Sequence, residues 1–307
     1  MWTSRRNAHL QLPALLLGFA AAALMAMTAA DAASAQSAGG APRCQADGPM
    51  VPLRELTEAS GLAVSRATPG RLWTHNDSGQ PIVFAVDTHG AVTARVRLTG
   101  ATVVDWEAIA LGPCPAGSCL HVADIGDNNG ARTRITIYRV PEPGGDADSA
   151  PAAEALHATY PDGPHDAETL LVTPRGELFI VTKGAPGGGA IYKFPRDLKA
   201  GATHSLERVG EPRPIARAGR SANITDGAVS ADGAWVALRT GQRVAFYRSA
   251  DLLTGNWREA SATDLRSLGE AQGEGIAFAA DASVYLAGEG GRKSRPGSLA
   301  HLSCALN

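Results

Sequence analysis

Five times along the chain a small polar or acidic residue opens an apolar run: Ser60-Gly61-Leu62-Ala63, Glu107-Ala108-Ile109-Ala110, Glu168-Thr169-Leu170-Leu171, Asp226-Gly227-Ala228-Val229 and Glu274-Gly275-Ile276-Ala277. Counted from Gly61 to Ala108, Thr169, Gly227 and Gly275, the intervals are 47, 61, 58 and 48 residues. Each holds three or four short strand-like runs separated by turn residues. Such small sheets cannot bury both faces alone, and a repeat of this length predicts an all-β chain folded as a β-propeller with about four strands per blade. Five blades are preferred. Six stays open, because the two longer intervals leave slack and the segment from Arg208 to Ile224 has no clear place.

Strand candidates follow from alternation and turn chemistry. Blade one takes Ser60 to Ser65, Arg71 to Asp77, Ile82 to Asp87 and Val92 to Leu98; blade two takes Glu107 to Leu111, Cys119 to Asp124, Thr133 to Val140 and His157 to Tyr160. Blade three uses Glu168 to Thr173, Glu177 to Thr182, Ala190 to Phe194 and Ser205 to Val209. Blade four uses Asp226 to Ser230, Ala234 to Arg239, Arg243 to Arg248 and a strand near Asn256 to Ala262. Blade five has three of its own, Glu274 to Phe278, Ser283 to Ala287 and Ser298 to Cys304, so its outer strand is expected from the N-terminal segment around Met50 to Leu56.

Residues 1–35 are read as a signal peptide, with Arg5 and Arg6 before an apolar stretch from Leu10 to about Ala30 and the small residues Ala33-Ser34-Ala35 at the cleavage site. An uncleaved anchor is the rival, but Pro13 and Asp31 favour cleavage, leaving residues 36–307 as one secreted or periplasmic domain without a membrane span. Cleavage takes the formal net charge from −2 to −3, and no basic patch for nucleic acid is implied. Four cysteines remain, with three possible pairings. A bridge between Cys114 and Cys119 fits the hairpin turn they flank, which leaves Cys44 to pair with Cys304 and tie the two ends of the ring. Zinc ligation is the competing use, and CxxxxC without a second pair is weak for it.

Propeller topology sorts the loops. The start of each inner strand shares a face with the end of each second strand, which gathers Glu107, Glu168, Asp226 and Glu274 with His75-Asn76-Asp77, the Asp124-to-Asn129 segment, Lys183, Arg239 and Glu289. The first hairpin turns fall on the other face. One reading of the acids is structural, capping inner strands and binding neighbouring amides. The other is collective: four carboxylates around one channel repel unless a cation or Lys183 and Arg239 sit among them. Oxygen-only ligands suit Ca²⁺, or Mg²⁺, with Asp77, Asp124 and Asp127 as further donors. Asp124-to-Gly130 lacks the spacing of an EF-hand loop.

Ala59-Ser-Gly-Leu-Ala63, Leu72-Trp-Thr-His-Asn-Asp77, Val83-Phe-Ala-Val-Asp87 and Asp105-Trp-Glu-Ala-Ile-Ala110 together resemble the exported propellers grouped as SdiA-regulated proteins and the phytase-like esterase domains, and more distantly gluconolactonase and paraoxonase propellers. The likeness is best over residues 55–140. It implies a propeller, and in the lactonase-type relatives a central divalent ion that polarises an ester or lactone; the positions that match are Glu107, Glu168, Asp226 and Glu274. This chain has few amide ligands at those places.

The sequence has no GxSxG elbow, HExxH or phosphate-binding loop. His75 beside Asp77, and His165 beside Asp166 and Glu168, are the candidates for moving protons at a metal-bound water. Trp73, Trp106, Trp235 and Trp257 fall on or beside strands, where blade packing explains them better than a sugar platform. Two classes of function remain: an exported, monomeric scaffold binding a small molecule or protein through the loop face, and a metal-dependent hydrolase of a small ester, lactone or phosphoester.

Overall fold

In the computed structural model the described residues are 43–144, 147–184, 189–213, 223–291 and 295–306, so the expected signal peptide lies outside them. They form the five sheets of a β-propeller, antiparallel except for a short parallel strand added at the outer edge of two of them. The outer strand of the last sheet comes first in the chain, as β1 (Arg43–Ala46) and β2 (Val51–Leu53). Blade one is β3 (Ala59–Val64), β4 (Arg71–Asn76), β5 (Ile82–Asp87) and β6 (Val92–Leu98). Blade two is β7 (Trp106–Cys114), β8 (Gly117–Asp124), β9 (Ile135–Pro141) and, after the short β10 (Ser149–Ala150), β11 (Glu154–Thr159). Blade three is β12 (Ala167–Val172), β13 (Leu178–Thr182), β14 (Gly189–Lys193) and, after β15 (Thr203–Ser205), β16 (Glu207–Arg213). Blade four is β17 (Ile224–Val229), β18 (Trp235–Thr240), β19 (Arg243–Arg248) and β20 (Glu259–Asp264), with a one-turn helix at Ser249–Leu252. Blade five is β21 (Gln272–Phe278), β22 (Val284–Glu289) and β23 (Gly297–Ala305), completed by β1 and β2.

Both N-terminal strands pair antiparallel with β23, Val51 opposite Leu299 and Cys44 opposite Cys304. Cys44 and Cys304 are disulfide-bonded across 260 residues of sequence, and Cys114 and Cys119 are bonded across the β7–β8 hairpin. Removing a native bridge that closes so long a loop costs about 2–5 kcal/mol. The expected outer strand from Met50 to Leu56 is thus found at Val51–Leu53, extended by Arg43–Ala46.

Three details differ from the strand candidates. The outer strand of blade three was expected at Ser205 to Val209 and lies at Glu207–Arg213, while Thr203–Ser205 runs parallel to β11 of blade two. Ser149–Ala150, from the Pro- and Ala-rich connection, likewise adds in parallel to β6 of blade one. An exposed edge strand offers unpaired backbone groups to any extended neighbour, and the incoming connection of the next blade uses them. The outer strand of blade four begins at Glu259 rather than Asn256.

Five apolar layers fill the five gaps between blades. Trp73 and Trp106, both fully buried, meet Val96 and Val140 between blades one and two; Leu170, Ile180 and Tyr192 meet Ile137 between two and three. Similar layers lie between blades three and four, four and five, and five and one. Each indole N–H of the first layer has an acceptor, Trp106 Nε1 donating to Thr102 O at 2.9 Å and Trp73 Nε1 to Glu142 Oε1 at 3.2 Å. These tryptophans pack blades.

Candidate functional site: an acidic cavity at one end of the channel

Every inner strand carries a register irregularity at the repeated phrase: between Ala59 and Leu62, Trp106 and Ala108, Ala167 and Thr169, Ile224 and Asp226, and Gly273 and Ile276. A bulge bends a strand and re-aims one side chain. Here it does so at or beside the residue that leads each phrase. The small residue that follows is set by crowding at the axis. A Cβ on Gly61 would lie 2.5 Å from Ile109 N, and one on Gly275 would lie 2.6 Å from Ser60 O. Neighbouring inner strands are therefore in backbone contact at a waist, and cross-links hold it: Ser60 Oγ donates to Glu107 O at 3.0 Å and Thr225 Oγ1 to Glu274 O at 3.1 Å.

On the loop face of the waist is a cavity of 540 Å³. Among the described residues its lining includes seven carboxylates, Asp77, Asp105, Glu107, Glu168, Glu270, Glu274 and Glu289, and one cationic side chain, Lys183. Lys183 Nζ forms an ion pair with Glu168 and lies 3.5 Å from Asp166 Oδ2. Gln272 Nε2 donates to Glu274 Oε1 at 2.7 Å. One lysine does not neutralise the set. Burial, then repulsion from Glu168 and Asp105, pushes Glu107 well above the carboxylate range. Burial against the pull of Lys183 takes Glu168 up to about 8, and burial takes Glu274 and Glu289 up to about 7. Asp77 and Asp105 are raised as well, first by burial and then by neighbouring acids. The ammonium of Lys183 is shifted up, the surrounding carboxylates outweighing its desolvation. These are the signs of a cavity short of positive charge.

The expected ligands separate into two sets. Glu107, Glu168, Glu274 and Asp77 line the cavity. Asp226 does not: it is buried at the waist, with Oδ2 accepting from Ile276 N at 2.9 Å, and it joins blade four to blade five. Its carboxyl is pushed well up by burial, against the amides that hydrogen-bond it. Asp124 and Asp127 are consumed by their own loop. Asp124 accepts from Val104 N and Asp105 N and pairs with Arg132 at 2.8 Å, and Asp127 accepts from Ala131 N and Arg132 N, each at 2.9 Å. This is the structural use of acids, fixing the loop that carries Asp105.

Neither candidate histidine lines the cavity. His75 is fully buried edge-on to Trp106, 5.7 Å between ring centres, and burial lowers it to about 4, so it is neutral at pH 7. His165 Nε2 meets Asp162 Oδ1 at 2.9 Å and the Tyr192 hydroxyl at 2.8 Å. Arg239, a proposed counter-ion, is also fully buried; it donates to Gly275 O at 2.6 Å, Ala287 O at 2.8 Å and Glu270 Oε2 at 2.5 Å, clamping blades four and five. Among the described residues, Lys183 is the cationic side chain that lines the cavity, and Arg239 reaches only its Glu270.

Asp105 and Glu270 were missed as site residues. Asp105 had a signal: Asp105 and Glu107, like Asp166 and Glu168, stand two apart, the spacing that places strand residues on one face. Glu270 belongs to the connection before blade five, where no periodicity points it anywhere. One of its oxygens, Oε1, is buried without a hydrogen-bond partner, as is Asp77 Oδ1.

No family model and no curated protein matches the chain. Among solved structures, the PQQ-bound aldose sugar dehydrogenase of Streptomyces coelicolor is 13% identical, with a TM-score of 0.50 over 86% of this chain and 98% of that one. The soluble apo-form aldose sugar dehydrogenase of Escherichia coli is 11% identical, with a TM-score of 0.49 over 85% and 99%. A gluconolactonase of Xanthomonas campestris is 14% identical, with a TM-score of 0.45 over 85% and 94%. At these identities the likeness is one of fold, and the fold shared is the propeller.

Proposed function

We propose that this chain is an exported propeller whose acidic cavity binds a positively charged ligand, a divalent cation such as Ca²⁺ or Mg²⁺ being the simplest, with a small molecule or protein engaged through the same loop face. The observation that carries this reading is the excess of carboxylates over cationic groups among the described residues of one 540 Å³ cavity, where Lys183 and the Glu270-bound Arg239 face seven acids. Two disulfides, and the lack of a helix long and apolar enough to span a membrane among the described residues, are in keeping with export.

The donor chemistry fits a hard cation, since all the anionic groups are oxygen ligands. The arrangement is not a preformed cage: among the described residues no three His, Cys, Asp or Glu side chains are grouped to hold a metal. A hydrated ion held by charge fits better than a fully stripped one. Glu107, Glu168 and Glu274 would hold it, and Lys183 would release Glu168 as it enters. When bound, such an ion polarises an oxygen-bearing substrate or its own water.

A second reading, hydrolysis of a small ester, lactone or phosphoester, is favoured by Glu274 and Glu168, whose carboxyls are pushed up to about 7 and about 8 and so can exchange protons near neutrality. The proton-moving role moves from His75 and His165 to these glutamates. Calorimetric titration of chelator-washed protein with Ca²⁺ and with Mg²⁺ tests the binding reading. Saturable heat that disappears in Glu107→Gln/Glu274→Gln is expected; no heat and an unchanged melting temperature with either ion would sink it for divalent cations.

A further inference from the structure

Beyond the waist the channel reopens on the hairpin-turn face as a second cavity of 660 Å³, lined among others by Leu62, Ile109, Leu170, Val172 and Phe278. That aliphatic wall favours no one head group. The selective chemistry is on the loop side, in three pairs of residues that stand two apart at the start of an inner strand. In blade three, Asp166 and Glu168 share an ammonium, that of Lys183. In blade five, Gln272 supplies its own N–H to Glu274 at 2.7 Å. In blade two, Asp105 and Glu107 line the cavity, and among the described residues neither carboxylate has a hydrogen-bond or ion-pair partner. We propose that the cavity binds a primary alkylammonium, seated on Asp105 and Glu107 as Lys183 is seated on Asp166 and Glu168; this rests on the reading of the cavity as a site for positive charge.

The register of the two blades explains why one pair is left open. Ala167 opposes Thr182 and Trp106 opposes Asp124, so the residue after each second strand, Lys183 in blade three and Ile125 in blade two, holds the same place. Both donate a backbone N–H to the carbonyl of the leading aspartate, Lys183 to Asp166 at 3.0 Å and Ile125 to Asp105 at 3.2 Å. Lys183 turns its ammonium to the acids, whereas Ile125 is fully buried in the apolar layer between blades two and three. Blade two thus has the pair of acids without the ammonium. The two carboxylates converge: a Cβ on Gly126 would lie 2.4 Å from Asp105 Oδ2 and 2.5 Å from Glu107 Oε1, so both oxygens border one small space. Glu107 is only 8% exposed, a nearly buried acceptor on the cavity wall. Arg132, whose charge reaches Asp105, is committed to Asp124 Oδ1 at 2.8 Å and to the Gly126 carbonyl at 2.7 Å. A primary ammonium brings three N–H donors to such oxygens. A quaternary ammonium brings none, and no aromatic ring that could cage it lines the cavity among the described residues. The rest of the ligand would lie against Asp77, Glu274 and Glu289, which favours a second amino group and repels a carboxylate.

Calorimetry of the protein with butane-1,4-diamine, its hexamethyl bis-quaternary analogue and 4-aminobutanoate tests this. The diamine is expected to bind with a stoichiometry of one and at least about ten-fold tighter than the other two, the scale of hydrogen bonds to a charged group. Glu107→Gln should remove that preference. Ile125→Lys, which supplies the ammonium from within the chain, should abolish diamine binding, and Asp105→Asn gives a second loss-of-binding test should that buried substitution fail to fold. Glu154→Gln makes the same charge change on an outer strand and should leave diamine binding as in the wild type. A thermal melt of each variant verifies folding. Equal affinity for the three probes, or diamine binding that survives both Glu107→Gln and Asp105→Asn in folded protein, would overturn the assignment. Ca²⁺ titrated in the same way separates the two readings. Saturable Ca²⁺ heat without diamine heat overturns the ammonium and leaves the cation site standing; no heat from either overturns both.

Discussion

The two ends of the channel are built by the same five strands and are chemically opposite. On the loop side of the waist, Glu107, Glu168 and Glu274 face one another around Lys183; two residues further along the same strands, Ile109, Leu170 and Ile276 belong to apolar surroundings. A strand alternates its faces, and one bulge per strand resets that alternation at the waist. The contrast shows that a propeller can hold charge and hydrocarbon on one axis without a partition other than backbone. It also separates two energies. The acidic end is governed by desolvation and repulsion, so it depends on pH; the apolar end is governed by contact area, so it does not.

The most severe way to break the contrast is to open the waist. Gly275→Val places side-chain atoms where a Cβ alone meets Ser60 O at 2.6 Å, and should cost about 4 kcal/mol or prevent folding, by the usual scale of overpacking and backbone displacement. Chemical denaturation measures it, and a loss under 1 kcal/mol would mean that the inner strands can part freely. Next in size is Lys183→Met. Removing the partner of buried Glu168 should cost about 3 kcal/mol at pH 8 and much less at pH 5, where Glu168, pushed up to about 8, is protonated. A pH-independent loss would show that Lys183 acts through packing.

A third test uses the wild type. Folded carboxyls raised above their unfolded values keep protons that the unfolded chain gives up, so their contribution is complete below about pH 4.5 and is lost as pH rises through the folded values. With Glu274 at about 7 and Glu168 at about 8, stability should fall between pH 5 and pH 8 by on the order of 2 kcal/mol. Glu168→Gln should flatten that fall, and a stability that rises over the same interval refutes the charge deficit. The smallest effect belongs to the other end: Val172→Thr, in the apolar well, should cost about 1 kcal/mol at every pH, and a pH-dependent cost there would show that the two cavities communicate.

How far the sequence carried the fold and the site depends on what kind of signal each residue leaves. The blade count, the closing segment and the Cys44–Cys304 pair were legible because period and parity are properties of the chain itself. Glu107, Glu168 and Glu274 were legible as a set because the repeat places them equivalently. Asp226 was legible only in position. It carries the same phrase, yet its bulge turns it to Ile276 N instead of the cavity, a difference of backbone that composition does not record. Arg239 was invisible as a clamp, because its acceptors are carbonyls of another blade. The swapped pieces Ser149–Ala150 and Thr203–Ser205 were missed for a related reason: two or three residues in parallel pairing have no periodicity to read.

Because β1 and β2 both rest on β23, the first described strands of the propeller have no hydrogen-bonding strand partner until the last one exists, although Leu53 packs on blade one. All 260 residues between Cys44 and Cys304 must be in place before they gain one. Blades one to four can complete their own sheets before that. The ring cannot. Its earliest segment travels as an unpaired thiol-bearing ribbon, and the protein becomes one cooperative object only when its final strand arrives between that ribbon and β22.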